Sequence, residues 1–274
     1  MDIKAFKMDG LGNDFVIIDR RKEDVSLSKE QIIKIGNRNN VGFDQIIFIE
    51  KKINDAFPIK IFNPDGVEVG ACGNGSRCIA YLISKEKDNK NIILTTLSGN
   101  LKSKILGNNL VTTEIGNAKI RWNEIPLSDE LNTKNLNIKI NDLNDHEHSG
   151  GTAINVGNPH VVFFVDEIKN FDIEKIGPQI ENHKIFPEKC NVTIAKVVNK
   201  NLIKVKVWER GAGLTKACGT AACATAFAGK INNLTDNNTD IEFETGKLSI
   251  FIDEKNSIHM KGPVSDIKEI SIKL

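Results

Sequence analysis

Apolar residues in this sequence recur mainly at alternate positions or in short β-branched runs, a pattern typical of strands. Residues 15–18, 46–49, 203–207 and 241–243 show this pattern. The uninterrupted apolar run at residues 161–165 fits a strand buried in a core. The sequence therefore predicts many short strands and only a few helices.

Three segments have helical patterns instead. Two of them open with Cys-Gly, as CGNGSRCIAYLISKE from Cys72 and CGTAACATAFAGK from Cys218. The second is rich in alanine, as expected for a helix that strands surround closely. A separate surface helix is predicted at residues 28–38, with Ser28 as its N-cap and Gln31 as the partner in a capping box.

These signals occur twice in the same order. GNDFVI from Gly12 is matched 145 positions later by GNPHVV, and FNPDG ending at Gly66 is matched at the same offset by VWERG. ACGN is matched by ACGT at an offset of 146, and two hairpin signals, TLSGNLKSKI and ETGKLSIFI, lie about 147 apart. Such a constant offset indicates a duplicated unit.

The duplication predicts an α/β (α+β) fold of two pseudo-symmetric domains. Each is expected to be a curved, mostly antiparallel sheet or barrel around one central helix. We place the first domain at residues 1–118, with residues 264–274 returning to it, and the second domain at residues 119–263.

Composition and charge exclude several classes of partner. The 274 residues are 40% hydrophobic and 27% charged, with a net charge of +1, so no basic field favours nucleic acid or anionic lipid. No apolar run approaches a membrane span, and the N-terminus has no signal-peptide apolar region. We expect a cytoplasmic protein that binds neither nucleic acid nor membrane.

The five cysteines are odd in number and form no CxxC pair. In a reducing compartment this argues against a disulfide framework and against a zinc site. His146 and His148 lie in a polar segment without regular spacing, and we expect no metal. Cys78 and Cys223 fall inside the predicted helices and are expected to pack in the core, whereas the role of Cys190 stays open.

A thiol at a helix N-terminus sees the positive end of the helix dipole and unpaired amide N–H groups. Both stabilise a thiolate, so we expect the pKa of Cys72 and Cys218 to fall toward neutrality. The same amides, approached closely over Gly73 and Gly219, form an anion site suited to a carboxylate. If the two domains face each other, one thiolate and one thiol flank one cleft, the arrangement that inversion at a carbon requires. On the residues alone, two small buried core cysteines explain the pattern about as well.

The motifs MDGLGNDF, GFDQ, FNPDG with ACGNGSRC, NVGNPH, and VWERG with ACGTAAC resemble those of the diaminopimelate epimerase family. They occur in that family's order over residues 7–223. The resemblance implies interconversion of LL-2,6-diaminopimelate and meso-diaminopimelate, a step toward lysine and peptidoglycan, without pyridoxal phosphate or another cofactor. It also implies a homodimer and two pseudo-symmetric α/β domains with the site between them.

The resemblance also assigns residues. Cys72 matches the proton donor of the LL-to-meso direction and Cys218 the group that abstracts the proton, and His160 and Glu209 match positions important for activity. Positions that hold the reacting carboxylate are matched by Gly73, Asn74, Gly219 and Thr220. Contacts to the second amino-acid centre are matched by Asn13, Gln45, Asn63, Asn158, Asn191, Glu209 and Arg210.

Three alternatives stay open. A proline or hydroxyproline racemase shares the CGT-type motif but lacks NVGNPH, VWERG and GLGNDF as a set. A phenazine-type isomerase shares the fold without the thiol pair. A non-catalytic amino-acid-binding module would need the helix amides but not the two thiols.

Overall fold

The computed structural model describes residues 2–23, 25–70, 72–87 and 89–274. Ala71 of the first Ala-Cys-Gly motif lies outside the described residues. The chain divides into two compact units, Met1–Glu114 with Lys261–Leu274, and Ile115–Met260. Within the described residues, every helix is too short or too polar to cross a membrane.

In its described residues the first unit contains eight successive strands and two helices, and a last strand returns to it from the end of the chain. The elements are β1 (Asp2–Gly10), β2 (Asn13–Asp19), α1 (Lys29–Gly36), β3 (Gln45–Ile49), β4 (Ala56–Phe62), β5 (Glu68–Val69), α2 (Gly73–Lys87), β6 (Asn91–Thr96), β7 (Gly99–Gly107) and β8 (Leu110–Asn117). β2 pairs antiparallel with β1 and parallel with β3, and β4 pairs antiparallel with β3 and parallel with β6. The strands β6, β7 and β8 continue as an antiparallel meander.

The second unit opens with a two-stranded hairpin and then repeats the order of the first. Its elements are β9 (Ile138–Asn141), β10 (Glu147–Gly150), β11 (Thr152–Asn155), β12 (Pro159–Phe164), a 3-10 turn (Ile168–Asn170), α3 (Ile173–Glu181), β13 (Asn191–Asn199), β14 (Leu202–Glu209), β15 (Gly213–Thr215), α4 (Gly219–Ile231), β16 (Asn238–Phe243), β17 (Gly246–Ile252) and β18 (Ser257–Pro263). The last strand, β19 (Lys268–Lys273), pairs antiparallel with β1.

Strand pairings of the first unit recur in the second. β12 is antiparallel to β11 and parallel to β13, and β14 is antiparallel to β13 and parallel to β16. Even the register repeats, since Phe15 lies opposite Gln45 and His160 lies opposite Asn191. The predicted α/β fold of two repeated, mostly antiparallel units is therefore confirmed.

Local sequence explains where the helices begin and end. The capping box of α1 is present in both directions, with the Gln31 amide N–H donating to Ser28 Oγ and the Ser28 amide donating to Gln31 Oε1. The helix ends at Gly36, two residues before the predicted end at 38, because Asn37 adopts an extended conformation.

The alanine-rich helix α4 is buried over nearly its whole length and packs against β11, β12, β16 and β17. Small side chains allow this because strands can approach the helix backbone from every side. In the first unit, α2 packs in the same way against β1, β6 and β7. Each central helix thus has its N-terminus fixed relative to the sheet of its own unit.

Candidate active site

The topology of the first unit brings the ends of four elements to one sheet edge. β2 and β3 run parallel and start at Asn13 and Gln45, whereas the antiparallel β4 ends beside Gln45 and is followed by Asn63. The Gln45 Nε2 donates to Asn63 Oδ1 at 3.2 Å. Helix α2 begins directly after Cys72. The site residues predicted in this half of the sequence therefore lie within one unit.

Cys72 lies half-buried at the start of α2. Its Sγ accepts from the Gly75 amide at 3.3 Å and lies 3.9 Å from Asn13 Oδ1. A Cβ at Gly75 would lie 2.6 Å from Ile47 Cδ1 and 3.5 Å from Cys72 Sγ, so glycine lets the first helical turn pack against the sheet. The thiol is placed where a helix N-terminus stabilises its charged form.

The side-chain amides beside Cys72 are held in fixed orientations. Asn13 Nδ2 donates to Asp44 Oδ2 at 2.9 Å, which turns Asn13 Oδ1 toward Cys72. Asn74 is buried and its Oδ1 accepts from Nη2 of the fully buried Arg77 at 3.0 Å. The roles of Asp44 and Arg77 were not predicted from the sequence, although an arginine inside an apolar helix was a signal of a buried polar contact.

The second unit places its predicted site residues at the corresponding edge. Asn158 precedes β12, Asn191 starts β13, Glu209 ends β14, and Cys218 is the N-cap of α4. Asn191 is 3% exposed, and its Nδ2 donates to the Pro159 carbonyl at 2.9 Å while its Oδ1 accepts from the Arg210 amide at 3.0 Å. Asn191 therefore joins two backbone segments of the site.

His160 is fully buried, and its Nε2 lies 2.9 Å from Asn158 Oδ1. Because a carbonyl oxygen only accepts, Nε2 carries the proton and Nδ1 is an acceptor. Among the described residues Nδ1 has no hydrogen-bond partner. Burial, and then the positive charge of Arg210, lower the pKa of His160 to about 3, so the ring is neutral at physiological pH.

We expect this buried histidine to make folding sensitive to acid. Its pKa in the folded protein is about 3 and its ordinary value is 6.5, so the unfolded chain binds the proton more readily between those values. The neutral ring therefore makes its full contribution to the free energy of unfolding above pH 6.5. That free energy falls as the pH drops, by about 2 kcal/mol at pH 5. Urea unfolding of the wild type and His160→Gln at pH 7 and pH 5 measures this. The change in unfolding free energy between pH 7 and pH 5 should largely disappear in His160→Gln, and His183→Gln is the matched histidine control. Equal pH dependence in wild type and His160→Gln would contradict a buried neutral ring.

The electrostatics of Cys218 differ from the expectation. The pKa of this thiol is raised well above 9.0, first by burial and then by the negative charge of Glu209, which also accepts a hydrogen bond from the thiol. The Thr220 hydroxyl, 3.4 Å from Sγ, and the Ala221 amide offset only part of this effect. The predicted fall toward neutrality is thus wrong for Cys218, because desolvation and a neighbouring carboxylate outweigh the helix N-terminus.

Glu209 is the last residue of β14, and Arg210 follows it in a turn. The Thr215 hydroxyl donates to Glu209 Oε1 at 2.5 Å, which fixes the carboxylate that faces Cys218. The Arg210 guanidinium is exposed and donates through Nη1 to the Glu188 carbonyl at 2.8 Å. A guanidinium has further N–H groups in a planar fork, which suits it to a carboxylate ligand.

The remaining cysteines and histidines pack or pair with protein groups. Cys78 and Cys223 are fully buried inside α2 and α4, and burial raises the pKa of Cys78. Cys190, whose role was open, is also fully buried, with a pKa raised by burial and a Sγ–H directed at the Ile180 carbonyl at 3.7 Å. His146 and His148 lie 3.2 Å and 3.5 Å from Asp142 Oδ2. No cluster of three or more metal-ligating side chains is found in the described part of the chain.

Solved structures share this fold at low sequence identity. A phenazine biosynthesis protein of the PhzF family from Bacillus anthracis aligns with a TM-score of 0.69 at 15% identity and covers 100% of both chains. A hydroxyproline epimerase from Agrobacterium vitis aligns with a TM-score of 0.66 at 10% identity, over 99% of this chain and 93% of that one. These two proteins correspond to alternatives raised by the sequence, and at such identity they establish the fold alone.

Sequence relatives are far closer. The model of the family described as diaminopimelate epimerase matches residues 5–121 and 152–267. A diaminopimelate epimerase from Pelagibacter ubique is 67% identical over 274 residues, the full length of both chains. One from a Caulobacter species is 39% identical over 271 residues, covering 94% of this chain and 93% of its own. With two repeated units, two Cys-Gly helix starts and these matches, the chain belongs to the diaminopimelate epimerase family.

Proposed function

We propose that this protein is a cofactor-independent epimerase that interconverts LL-2,6-diaminopimelate and meso-diaminopimelate in lysine and peptidoglycan biosynthesis. The observation that carries the proposal is the repeated helix start, in which Cys72 and Cys218 each precede a glycine and each lie beside polar side chains. The two sequence relatives described above are named diaminopimelate epimerase.

Inversion at Cα requires one group that removes the proton from one face and another that supplies a proton to the other face. We assign removal in the LL-to-meso direction to the Cys218 thiolate and delivery to the Cys72 thiol. Negative charge then develops beside Cα and on the reacting carboxylate. The first amides of the two helices, at Gly73 and Asn74 and at Gly219 and Thr220, are the groups that stabilise it.

In the protein without substrate, the surroundings of Cys218 support a defined role for Glu209. Cys218 is a thiol, and its proton is directed at the Glu209 carboxylate. Glu209 takes this proton when the thiolate is formed, and it forms no covalent bond to the substrate.

The second amino-acid centre of the substrate is bound without reacting. Arg210 binds its carboxylate with two parallel hydrogen bonds. Polar contacts to this end, from side chains or from the backbone that they hold, come from Asn13, Gln45, Asn63, Asn158 and Asn191. A substrate with two amino-acid centres uses all of these groups, whereas proline offers only one centre.

Solvent exchange tests the proposal. LL-diaminopimelate incubated in D2O with purified protein and no added cofactor is expected to gain deuterium at Cα while meso-diaminopimelate accumulates, as mass spectrometry and chiral chromatography report. Proline and hydroxyproline are the comparison substrates. Exchange into proline but not into diaminopimelate would overturn the substrate, and a requirement for pyridoxal phosphate would overturn the mechanism.

We propose further that the active form is a homodimer in the cytoplasm. The homodimer rests on the family resemblance, and sedimentation velocity at micromolar concentration tests it. The five cysteines are free thiols, and the reducing conditions of the cytoplasm keep both reacting thiols available.

A further inference from the structure

Several hydrogen bonds hold the turn that carries Glu209 and Arg210. The Ala212 amide donates to the Glu209 carbonyl at 3.0 Å, and Gly211 adopts a φ of +74°, which favours glycine. The two central amides of the turn are bound by side chains from other elements. Asn191 Oδ1 accepts from the Arg210 amide at 3.0 Å, and Glu181 Oε1 accepts from the Gly211 amide at 3.0 Å.

Glu181 binds both sides of the Glu209–Arg210 pair. It is the last residue of α3 and is 6% exposed. Its Oε2 accepts from Trp208 Nε1 at 2.7 Å, and its Oε1 accepts from the Gly211 amide. Trp208 directly precedes Glu209 and Gly211 directly follows Arg210, so one carboxylate fixes the chain immediately before and after the two functional side chains.

Helix stability does not account for a carboxylate at this position. The C-terminal end of a helix carries partial negative charge and disfavours an anion, and burial adds a desolvation cost. Its ion-pair partner among the described residues is Lys189, whose Nζ lies 4.0 Å from Oε1 on a side chain that is 55% exposed. A carboxylate, however, is the side chain that offers two acceptor oxygens and no donor, as two facing N–H groups require.

The packing of α3 reinforces this geometry. A Cβ at Gly177 would lie 2.4 Å from Trp208 Cγ, so glycine lets the indole lie flat against α3 with its N–H at Glu181. At the corresponding end of α1 in the first unit stands Gly36, where a Cβ would lie 3.2 Å from the Pro64 Cβ. The carboxylate thus occurs in the repeat whose turn carries a charged pair.

We propose that Glu181 is a positioning residue that holds Glu209 against Cys218 and Arg210 toward the substrate. The role rests on the proposed function for its effect on turnover, but not for its effect on Cys218. Glu181 touches neither thiol and is not itself catalytic. It orients the turn so that the Glu209 carboxylate stays beside the Cys218 thiol.

The variant Glu181→Gln tests this role. A glutamine matches one of the two N–H groups but sets its NH2 against the other, so the turn shifts and Glu209 moves away from Cys218. We expect kcat/KM for diaminopimelate to fall about tenfold to a hundredfold. Without substrate, the pH at which Cys218 becomes alkylated by iodoacetamide, read by peptide mass spectrometry, should move downward because the Glu209 charge that raises its pKa lies farther from the thiol.

Two further variants separate positioning from folding. Trp208→Phe removes one donor and keeps the carboxylate on Gly211, so we expect a smaller loss. Combined with Glu181→Gln it removes the mismatched donor and should partly restore both readouts. Glu242→Gln is the matched control, since it removes a carboxylate paired with Lys204 and Lys247 in the same unit.

An unchanged Cys218 alkylation profile in folded Glu181→Gln would overturn the positioning role, as would a double variant no better than the single one. Should Glu181→Gln fail to fold, Trp208→Phe with an unchanged profile and full activity would overturn it as well. If the profile shifts but wild-type protein does not epimerise diaminopimelate, the positioning role stands and the proposed function falls.

Discussion

Replacing Cys72 or Cys218 by alanine is expected to lower the epimerisation kcat by about a thousandfold, within the range that positioned acid–base groups contribute. Each thiol serves one face of Cα, so neither can replace the other. The two variants should differ in the deuterium exchange that they retain. Cys72→Ala keeps the group that removes the LL proton and should still exchange deuterium into LL-diaminopimelate without inverting it, whereas Cys218→Ala should not.

Cys78→Ala and Cys223→Ala are matched controls. They remove buried thiols that lie six positions after Cys72 and five positions after Cys218. We expect them to cost stability and to leave kcat within a small factor of wild type. The measurements are chiral chromatography for inversion and mass spectrometry for exchange. Inversion at wild-type rate by either active-site variant would refute a two-thiol mechanism.

Replacing Glu209 by glutamine is expected to change two properties in opposite directions. The negative charge of Glu209 raises the pKa of the Cys218 thiol, so removing it should lower that pKa and increase the thiolate fraction of the free enzyme. Catalysis should nevertheless fall about a hundredfold, because the acceptor for the thiol proton is lost. The ultraviolet absorbance of the thiolate across a pH titration, compared with kcat, measures both effects.

Two comparisons make the Glu209 experiment specific. Thr215→Val keeps the carboxylate but removes the hydroxyl that fixes it at 2.5 Å, and we expect an intermediate effect. Glu242→Gln removes a carboxylate outside the site and should change neither property. A Cys218 titration that does not move in Glu209→Gln would show that the carboxylate does not act on this thiol.

Features encoded by short segments were predictable from the sequence. The capping box at Ser28 and Gln31, the hairpins at β6–β7 and β16–β17, and the helix starts after Cys72 and Cys218 were all predicted and are confirmed. Periodicity and capping act between residues a few positions apart, so a linear pattern is enough to find them. The constant offset between repeated motifs also predicted the duplicated fold.

The precise burial and pairing of side chains was not predictable in this way. The sequence placed a thiol at the N-terminus of α4 and favoured a lowered pKa, but it could not weigh that against complete burial and against Glu209, which β14 and β15 bring to Cys218. Nor did it identify Arg77 behind Asn74, or the Asn191 and Glu181 side chains that hold the turn after β14.

The sequence by itself determined the repeated units, the helix starts and the two thiols, because these depend on neighbouring residues and on motifs that recur at a fixed spacing. The tertiary structure alone decided the charge state of Cys218, the neutral ring of His160 and the supports of the Glu209–Arg210 turn. Desolvation and hydrogen bonding depend on what surrounds a group in space. Glu181 and Gly211 are 30 residues apart in the chain, and only the packing of α3 against β14 makes them partners.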